Sequence, residues 1–147
     1  MGHKRFFLVL LSGFLTLFMI SQGFTQSDEI KERRKLMKAS SKASKAVKKA
    51  IKKSDFAAIE EKAKIIAANM EKFPDLFPEG SGEGKTRAKA AIWGRWDSFK
   101  EKNANTLKAA EEMAEAAAAK DLDLVKAKRK ALKCGGCHKP FRKKKKK

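Results

Sequence analysis

A compact group of sulfur and imidazole side chains lies near the C-terminal end of the sequence. Cys134, Cys137 and His138 form the pattern Cys-x-x-Cys-His. On a helix, residues three and four positions apart share one face. Two thiols spaced in this way can add to the two vinyl groups of one porphyrin edge, and the adjacent histidine can place a ring nitrogen on the iron. The pattern predicts one covalent haem c, attached through Cys134 and Cys137 and ligated by His138.

Three other uses of this pattern compete with haem attachment. A structural zinc site needs four ligands, and the only other histidine in the sequence is His3. A thioredoxin-type redox pair belongs at the start of a helix in a strand–helix–strand unit, but the sequence after residue 25 has no strand signal. A simple disulfide in an oxidising compartment is the third alternative.

The N-terminal segment has the layout of an export signal. Basic residues at positions 3–5 precede Phe6–Ile20, which contains no charged residue, and small residues follow. This layout predicts a signal peptide over residues 1–25, cleaved after Gly23 or Thr25. An uncleaved membrane anchor is the alternative. Both readings carry the rest of the chain across a membrane, so we expect a periplasmic protein, which suits haem attachment after translocation.

The charge is strongly positive. The 147 residues include 36 Lys and Arg against 17 Asp and Glu, a formal net charge of +19. Such a charge predicts encounters with acidic redox partner proteins or with an anionic membrane surface. Nucleic acid is not an expected partner, because the chain is exported and lacks a basic–aromatic platform. Residues 143–147, all Lys, are predicted to form a disordered tail.

Helical periodicity runs through the rest of the chain. Short connections should join the first two and the last two helices as antiparallel hairpins. The sequence therefore predicts an all-α fold, an antiparallel up-down-up-down four-helix bundle with covalently bound haem, as one domain over residues 26–142. The predicted helices are Asp28–Lys53, Asp55–Phe73 (with Ser54 as an alternative first residue), Ala88–Ala119 and Leu122–Phe141, and one long loop spans Pro74–Thr86.

The sequence leaves several candidates for the second axial ligand of the iron. With residues 1–25 removed, His138 is the only histidine, so the position falls to Met, Lys, water or nothing. Met37 lies one helical turn after Arg33, and this pair could offer a thioether to iron and a guanidinium to a haem propionate. The pattern alone leaves two ordinary alternatives open: Met37 as core filling and Arg33 as a surface charge.

The ordered set of motifs resembles the class II c-type cytochromes, the cytochrome c prime family. The resemblance covers nearly all of the chain after the export segment, and it implies a four-helix bundle with the haem near the C-terminus. The residues that carry it are Arg33-x-x-x-Met37, Leu76-Phe77-Pro78, Ile92-Trp93, Phe99 and Cys134-x-x-Cys137-His138-x-x-Phe141-Arg142.

The resemblance also implies roles for the residues near the metal. In this family the position of Met37 faces the distal side of the haem, and Arg33 matches the arginine beside a propionate. A methionine there resembles the low-spin branch, which carries electrons. We therefore expect a one-electron carrier whose iron cycles between Fe(III) and Fe(II) with His138 and Met37 as ligands. The alternative is a five-coordinate, high-spin member that binds nitric oxide or carbon monoxide.

Other expectations concern activity and assembly. No acid–base pair or nucleophile constellation is visible, so no enzyme is predicted. A homodimer is possible, because family members commonly pair through their first two helices, although Ser40, Ser41 and Ser44 depart from that pattern. A helical bundle without any redox role is a third reading of the chain.

Overall fold

α-Helices make up nearly all of the secondary structure. The computed structural model describes residues 25–144, with side chains from residue 28 onward. Within that range no β-strand is formed, and Ala88 and Arg142 make an isolated antiparallel bridge. The elements are α1 (Thr25–Ile51), α2 (Phe56–Lys72), a 3₁₀ turn (Pro74–Leu76), α3 (Ala91–Gly94), α4 (Trp96–Ala118), α5 (Leu122–Ala131) and α6 (Cys134–Phe141).

Two tight turns reverse the chain between long helices. In each turn a residue with positive φ, Ser54 or Lys120, precedes an aspartate. The side chains of Asp55 and Asp121 each accept a hydrogen bond from the backbone N–H three residues later, at 3.0 and 2.9 Å. Such N-caps satisfy a donor that the first turn of a helix leaves unpaired. Both aspartates therefore cap the helices that follow them.

The helices pack as a four-helix bundle, which confirms the predicted fold class. Helix α2 packs against α1 and α4, and α4 packs against both α5 and α6, which together form the fourth helix of the bundle. In contrast, α1 and α6 make almost no contact with each other. The bundle is therefore closed along most of its length but open between α1 and α6.

Two apolar clusters fill the bundle. The bundle cluster lies between α1, α2, α4 and α5 and is built largely from alanines, with Val47, Ile59, Met113 and Val125 fully buried. The aromatic cluster lies at the other end, and three of its ring pairs meet edge to face. Phe77 of the long loop is buried in it. The buried members of the aromatic cluster are Leu36, Phe73, Phe77, Ile92, Phe99 and Phe141.

The structure corrects two predicted helices. The third was expected to be continuous from Ala88, but it begins at Ala91 and is interrupted at Arg95, directly after Gly94. The fourth was expected to run unbroken to Phe141, but it breaks at Lys133, which has φ 37°. Glycine has low helix propensity, and Gly94 stands at the first break while Gly135 and Gly136 follow the second. Helix α1 differs from its predicted bounds by only two or three residues, as helix ends often do.

A short antiparallel pairing explains why residues 88–90 are not helical. The backbone N–H of Lys89 donates to the carbonyl of Phe141 at 3.0 Å, and that of Lys143 donates to the carbonyl of Arg87 at 2.8 Å. These bonds hold the chain before α3 extended beside the end of α6. They also tie Lys143, where the tail was expected to begin, to the domain. The pairing thereby fixes the C-terminal end of α6.

Parts of the predicted organisation fall outside the structure. Residues 1–24, which hold nearly all of the predicted export segment, and residues 145–147 of the predicted tail lie outside the described residues. Across residues 25–144, none of the helices combines the length and the apolar character needed to span a lipid bilayer.

Candidate functional site

The Cys-x-x-Cys-His group opens α6. Because Lys133 adopts a left-handed conformation, the chain turns before Cys134 and a new helix begins there, with the N–H of Gly136 donating to the carbonyl of Lys133 at 2.7 Å. Cys134, Cys137 and His138 then lie within the first turn and a half of α6. All three line the same cavity, so the predicted shared face is confirmed.

The two thiols have different surroundings. Cys134 is exposed, whereas Cys137 is half-buried beside the aromatic cluster, and the two are not joined as a disulfide. Burial raises the pKa of Cys137, and nearby Lys102 opposes that rise. A protein thiol with a raised pKa is a weak nucleophile on its own. Two free thiols on one face of a helix are suited to a cofactor that forms a covalent bond with each of them.

His138 is held as a neutral imidazole. Burial lowers its pKa, and the positive charges of Arg142 and Arg87 lower it further. Only a neutral imidazole can bind a metal through a ring nitrogen. The backbone around it is fixed, since the N–H of Arg142 donates to the carbonyl of His138 at 3.0 Å and the pairing with residues 87–89 follows directly. These features suit His138 to the role of an axial ligand.

A cavity of about 520 Å³ occupies the gap between α1 and α6. This volume lies in the range of cofactor and small-ligand pockets, roughly 300–1,000 Å³. Phe73, Phe77 and Phe99 of the aromatic cluster form part of its wall, which makes that part apolar. No Asp or Glu is among the lining residues of the described chain, whereas Arg33, Arg34, Lys45, Arg87 and Arg142 all are.

Arg33 reaches the cavity from α1 and is buried, with 5% of its surface exposed. Its Nη2 donates to the carbonyl of Ser81 at 2.7 Å, and its guanidinium carbon lies 4.3 Å from the centre of the Phe77 ring. Burial lowers the pKa of Arg33, and Glu29 opposes that shift. Its Nη1 is buried without a hydrogen-bond partner in the protein. A buried guanidinium with one unused donor group is matched by a carboxylate.

The lining of the cavity has the features that a covalently bound haem needs. A haem attached through this motif needs two thiols and an imidazole on one face, apolar surroundings, and cations for two propionates. The cavity has all of these, and its lining in the described chain includes no carboxylate that would repel the propionates. Among the buried polar atoms without a partner in the described chain, Nη1 of Arg33 belongs to a residue that lines this cavity. The site therefore fits the group predicted from the sequence.

The three methionines of the described chain lie in different surroundings. Met37 is half-buried on the cavity wall formed by α1, and it packs against both apolar clusters. Met70 also lines the cavity but is 6% exposed and belongs to the bundle cluster. Met113 is fully buried in that cluster and does not line the cavity. The geometry thus brings Met37, Arg33 and the α6 motif to one cavity.

Sequence reasoning did not identify several lining residues as part of a site. Ser40, Ser41 and Ser44 continue the stripe of Arg33 and Met37 along α1 and face the cavity. Their helical spacing from Met37 was the available signal. Arg87 also lines the cavity, and it had no local signal because the pairing with residues 141–143 brings it there.

Comparison with known proteins agrees with the fold and the cofactor. A family model described as Cytochrome C' matches residues 28–142. The chain belongs to the cytochrome c' family. It is 36% identical over 145 residues to a cytochrome c' of Rhodospirillum rubrum, an alignment that covers 95% of this chain and 98% of the relative.

Two further similar proteins were found. A cytochrome c-556 of Agrobacterium tumefaciens is 34% identical over 92 residues, covering 62% of this chain and 75% of the relative. The nitric oxide complex of a leucine-to-alanine mutant of cytochrome c prime from Alcaligenes xylosoxidans is a similar structure, with a TM-score of 0.75 and 24% identity. That match covers 84% of this chain and 100% of the other, and at this identity it supports the fold alone.

Membership in the cytochrome c' family settles the cofactor. Family members carry one covalently bound haem c, and so does this chain. The predicted low-spin branch, with both His138 and Met37 on iron, is not supported by these comparisons, which favour the five-coordinate alternative.

Proposed function

We propose that this protein binds a small diatomic gas, such as nitric oxide or carbon monoxide, on the open face of a five-coordinate haem c. The bound haem supplies a reversible one-electron couple and one free coordination position. The observation that carries the proposal is the packing of Met37. This side chain is held by both apolar clusters, so it can cover the ligand side of the cavity without bonding to the metal.

The residues predicted to hold the haem have separate roles in this proposal. Cys134 and Cys137 would each form a thioether bond to one vinyl-derived carbon of the haem, and His138 would be the axial ligand from α6. Arg33 would donate its unused Nη1 to a propionate, which explains a buried guanidinium with a missing partner. The aromatic cluster excludes water from the inner edge of the site. The protein thus sets access, polarity and ligand number, which decide between ligand binding and electron transfer.

A similar structure suggests the class of ligand. It is the nitric oxide complex of a leucine-to-alanine mutant of cytochrome c prime from Alcaligenes xylosoxidans. We propose that this chain binds the same kind of ligand, with Met37 as the residue that covers the ligand side. We propose that the protein binds a gas and that it does not catalyse a reaction.

A second candidate is the electron carrier in which Met37 occupies the sixth position. The observation that favours it is the place of Met37 on the cavity wall, on the same stripe as Arg33. A thioether ligand beside His138 would raise the reduction potential and close the open face. The two candidates make opposite predictions for ligand binding.

The spin state of a Met37→Leu variant separates the candidates. If Met37 only covers the cavity, the ferric and ferrous optical spectra of the variant stay high-spin like those of the parent. If Met37 is a ligand, the parent is low-spin and the substitution converts it to high-spin. Met113→Leu is the matched control, because Met113 is buried away from the cavity and its replacement should leave the spectrum unchanged in both cases.

Location and partners are part of the same proposal. We propose export to the periplasm by the signal peptide at residues 1–25, and the alignment with the Rhodospirillum rubrum relative reaches into this segment because it covers 95% of the chain. Acidic redox proteins are the proposed partners, since no acidic residue follows Asp123 in the sequence. An anionic membrane surface and a homodimer are alternatives, and nucleic acid is not a proposed partner.

A further inference from the structure

The cavity wall formed by α1 is unexpectedly polar on its ligand side. Ser40, Ser41 and Ser44 lie three, four and seven residues after Met37, so they share its face of the helix. All three line the cavity with Met37. Side chains on the wall opposite His138 are the ones that a ligand on the open face would meet. The wall therefore presents hydroxyl groups as well as a thioether.

The hydroxyl group of Ser40 is oriented by a neighbouring helix. The side-chain Nδ2 of Asn69, on α2, donates to Oγ of Ser40 at 3.0 Å and approaches the carbonyl of Leu36 at 3.4 Å. A serine hydroxyl has one donor and two acceptor lone pairs. Because Asn69 uses an acceptor lone pair of Ser40, the O–H of Ser40 remains available to donate.

Within the described chain this O–H group donates no hydrogen bond. Among the hydrogen bonds of residues 28–144, none has the hydroxyl of Ser40, Ser41 or Ser44 as its donor. The cavity-lining Thr106 is different, since its hydroxyl donates to the carbonyl of Lys102 at 2.9 Å. A half-buried donor without an acceptor is stabilised when a ligand supplies one.

The charge around the cavity also favours a ligand that accepts hydrogen bonds. Its lining includes five cationic side chains and no carboxylate within the described chain. Two haem propionates would neutralise two of those charges. Lys45, directly after Ser44, adds a positive charge on the same wall. A positive, hydroxyl-lined wall is suited to a ligand whose outer atoms carry negative charge.

We propose that Ser40 donates a hydrogen bond to the ligand bound on the α1 side of the cavity. This hydrogen bond makes the site favour small anions and negatively polarised diatomics over neutral carbon monoxide. Ser40 is thus a residue that sets ligand preference, with Asn69 as the residue that positions it. The inference rests on the proposed open face and adds the class of ligand that the face selects.

The experiment compares azide and carbon monoxide as probes on the haem-loaded protein. In Ser40→Ala, ferric azide affinity should fall about fivefold, the equivalent of one hydrogen bond of about 1 kcal/mol. Carbon monoxide affinity of the ferrous form should stay nearly constant, while the infrared C–O stretch should move to higher frequency because a donor has been lost. Ser40→Thr keeps a hydroxyl and should restore both properties.

Controls separate a hydrogen bond from general effects. Ser98→Ala removes a serine on α4 that does not line the cavity, so it should change neither probe. Asn69→Ala should reproduce part of the Ser40→Ala effect. An unchanged azide affinity and C–O stretch in Ser40→Ala would overturn the proposal. Equal losses for azide and carbon monoxide would overturn it too, because they would indicate a change in packing.

The same measurements distinguish this inference from the proposed function. If the parent protein binds neither probe, the open face is wrong, and the comparison is repeated in a Met37→Ala background, where the position is free. An azide-selective loss in Met37→Ala/Ser40→Ala then supports the role of Ser40 while the proposed function fails. If no selective loss occurs in that background, the role of Ser40 fails as well.

Discussion

Arg33 gives the sharpest test of how the cavity is built. In the Arg33→Met variant the aliphatic stem and its packing over Phe77 are largely kept, but the positive charge and all donors are removed. The carbonyl of Ser81, which now receives a 2.7 Å hydrogen bond from Arg33, is left buried without that partner. We expect the folded protein to be less stable and the haem edge to be less well held.

The magnitude follows from the lost contacts. A hydrogen bond from a charged donor contributes about 2 kcal/mol, and a partly desolvated cation over an aromatic ring contributes about 1 kcal/mol. Relief of the desolvation of the buried guanidinium offsets part of that loss. The free energy of unfolding should therefore fall by about 2–3 kcal/mol, which lowers Tm by roughly 8–12 °C for a domain of this size.

The assay is urea unfolding of the ferric, haem-loaded protein followed by far-ultraviolet circular dichroism. Arg34→Met is the matched control, because Arg34 is an exposed neighbour that also lines the cavity and donates to a loop carbonyl, that of Lys85. This control should change the free energy of unfolding by no more than about 0.5–1 kcal/mol. Equal losses in the two variants would refute the argument that the buried guanidinium supports the site.

Three further predictions concern the loop, the axial histidine and the surface charge. Gly82→Ala would place a Cβ 2.8 Å from the ring of Trp93, so we expect a loss of about 1–2 kcal/mol in urea unfolding, whereas Gly94→Ala meets no atom within 4 Å and should cost nothing measurable. Arg142→Gln removes a charge that lowers the pKa of His138. That pKa should rise, so an optical titration should detect acid-induced release of the imidazole at a higher pH than in the parent, and an unchanged midpoint would contradict this reasoning. Reduction by an anionic reagent should slow roughly tenfold between ~0.01 and ~1 M salt, while a cationic reagent should show the opposite trend in stopped-flow measurements.

Local sequence signals predict the elements that depend on local physics. Asp55 and Asp121 are recognisable as N-caps because their side chains bond to backbone groups only three residues away. The spacing of Cys134, Cys137 and His138 predicts a shared face for the same reason. In each case the interacting atoms belong to neighbouring residues, so the sequence contains the whole interaction.

The start of α3 and the end of α6 have a non-local cause. Residues 87–89 pair with residues 141–143, about fifty positions later, and this pairing sets where α3 begins and how α6 ends. The glycines near the breaks at Arg95 and Lys133 indicate weak helix propensity but not an interruption. The burial of Arg33 is a similar case, because its partner Ser81 lies 48 residues away in the long loop.

The role of Met37 is a different case, because the helical pattern predicts its position but not its bonding. The helical stripe correctly places Met37 on the cavity, but the same stripe places it against both apolar clusters. Helical periodicity shows which face of α1 carries Met37. It does not show whether the sulfur of Met37 bonds to a metal. The three serines beyond Met37 stand out in the sequence as a departure from the family, and only the cavity gives them a role.

The most direct test of the account is the visible spectrum of the purified ferrous holoprotein before and after addition of carbon monoxide. We predict a covalently bound haem with a high-spin spectrum that converts to that of a carbon monoxide complex when carbon monoxide is added. A low-spin ferrous spectrum that carbon monoxide leaves unchanged would contradict the open face. A protein without a haem spectrum would contradict the site itself.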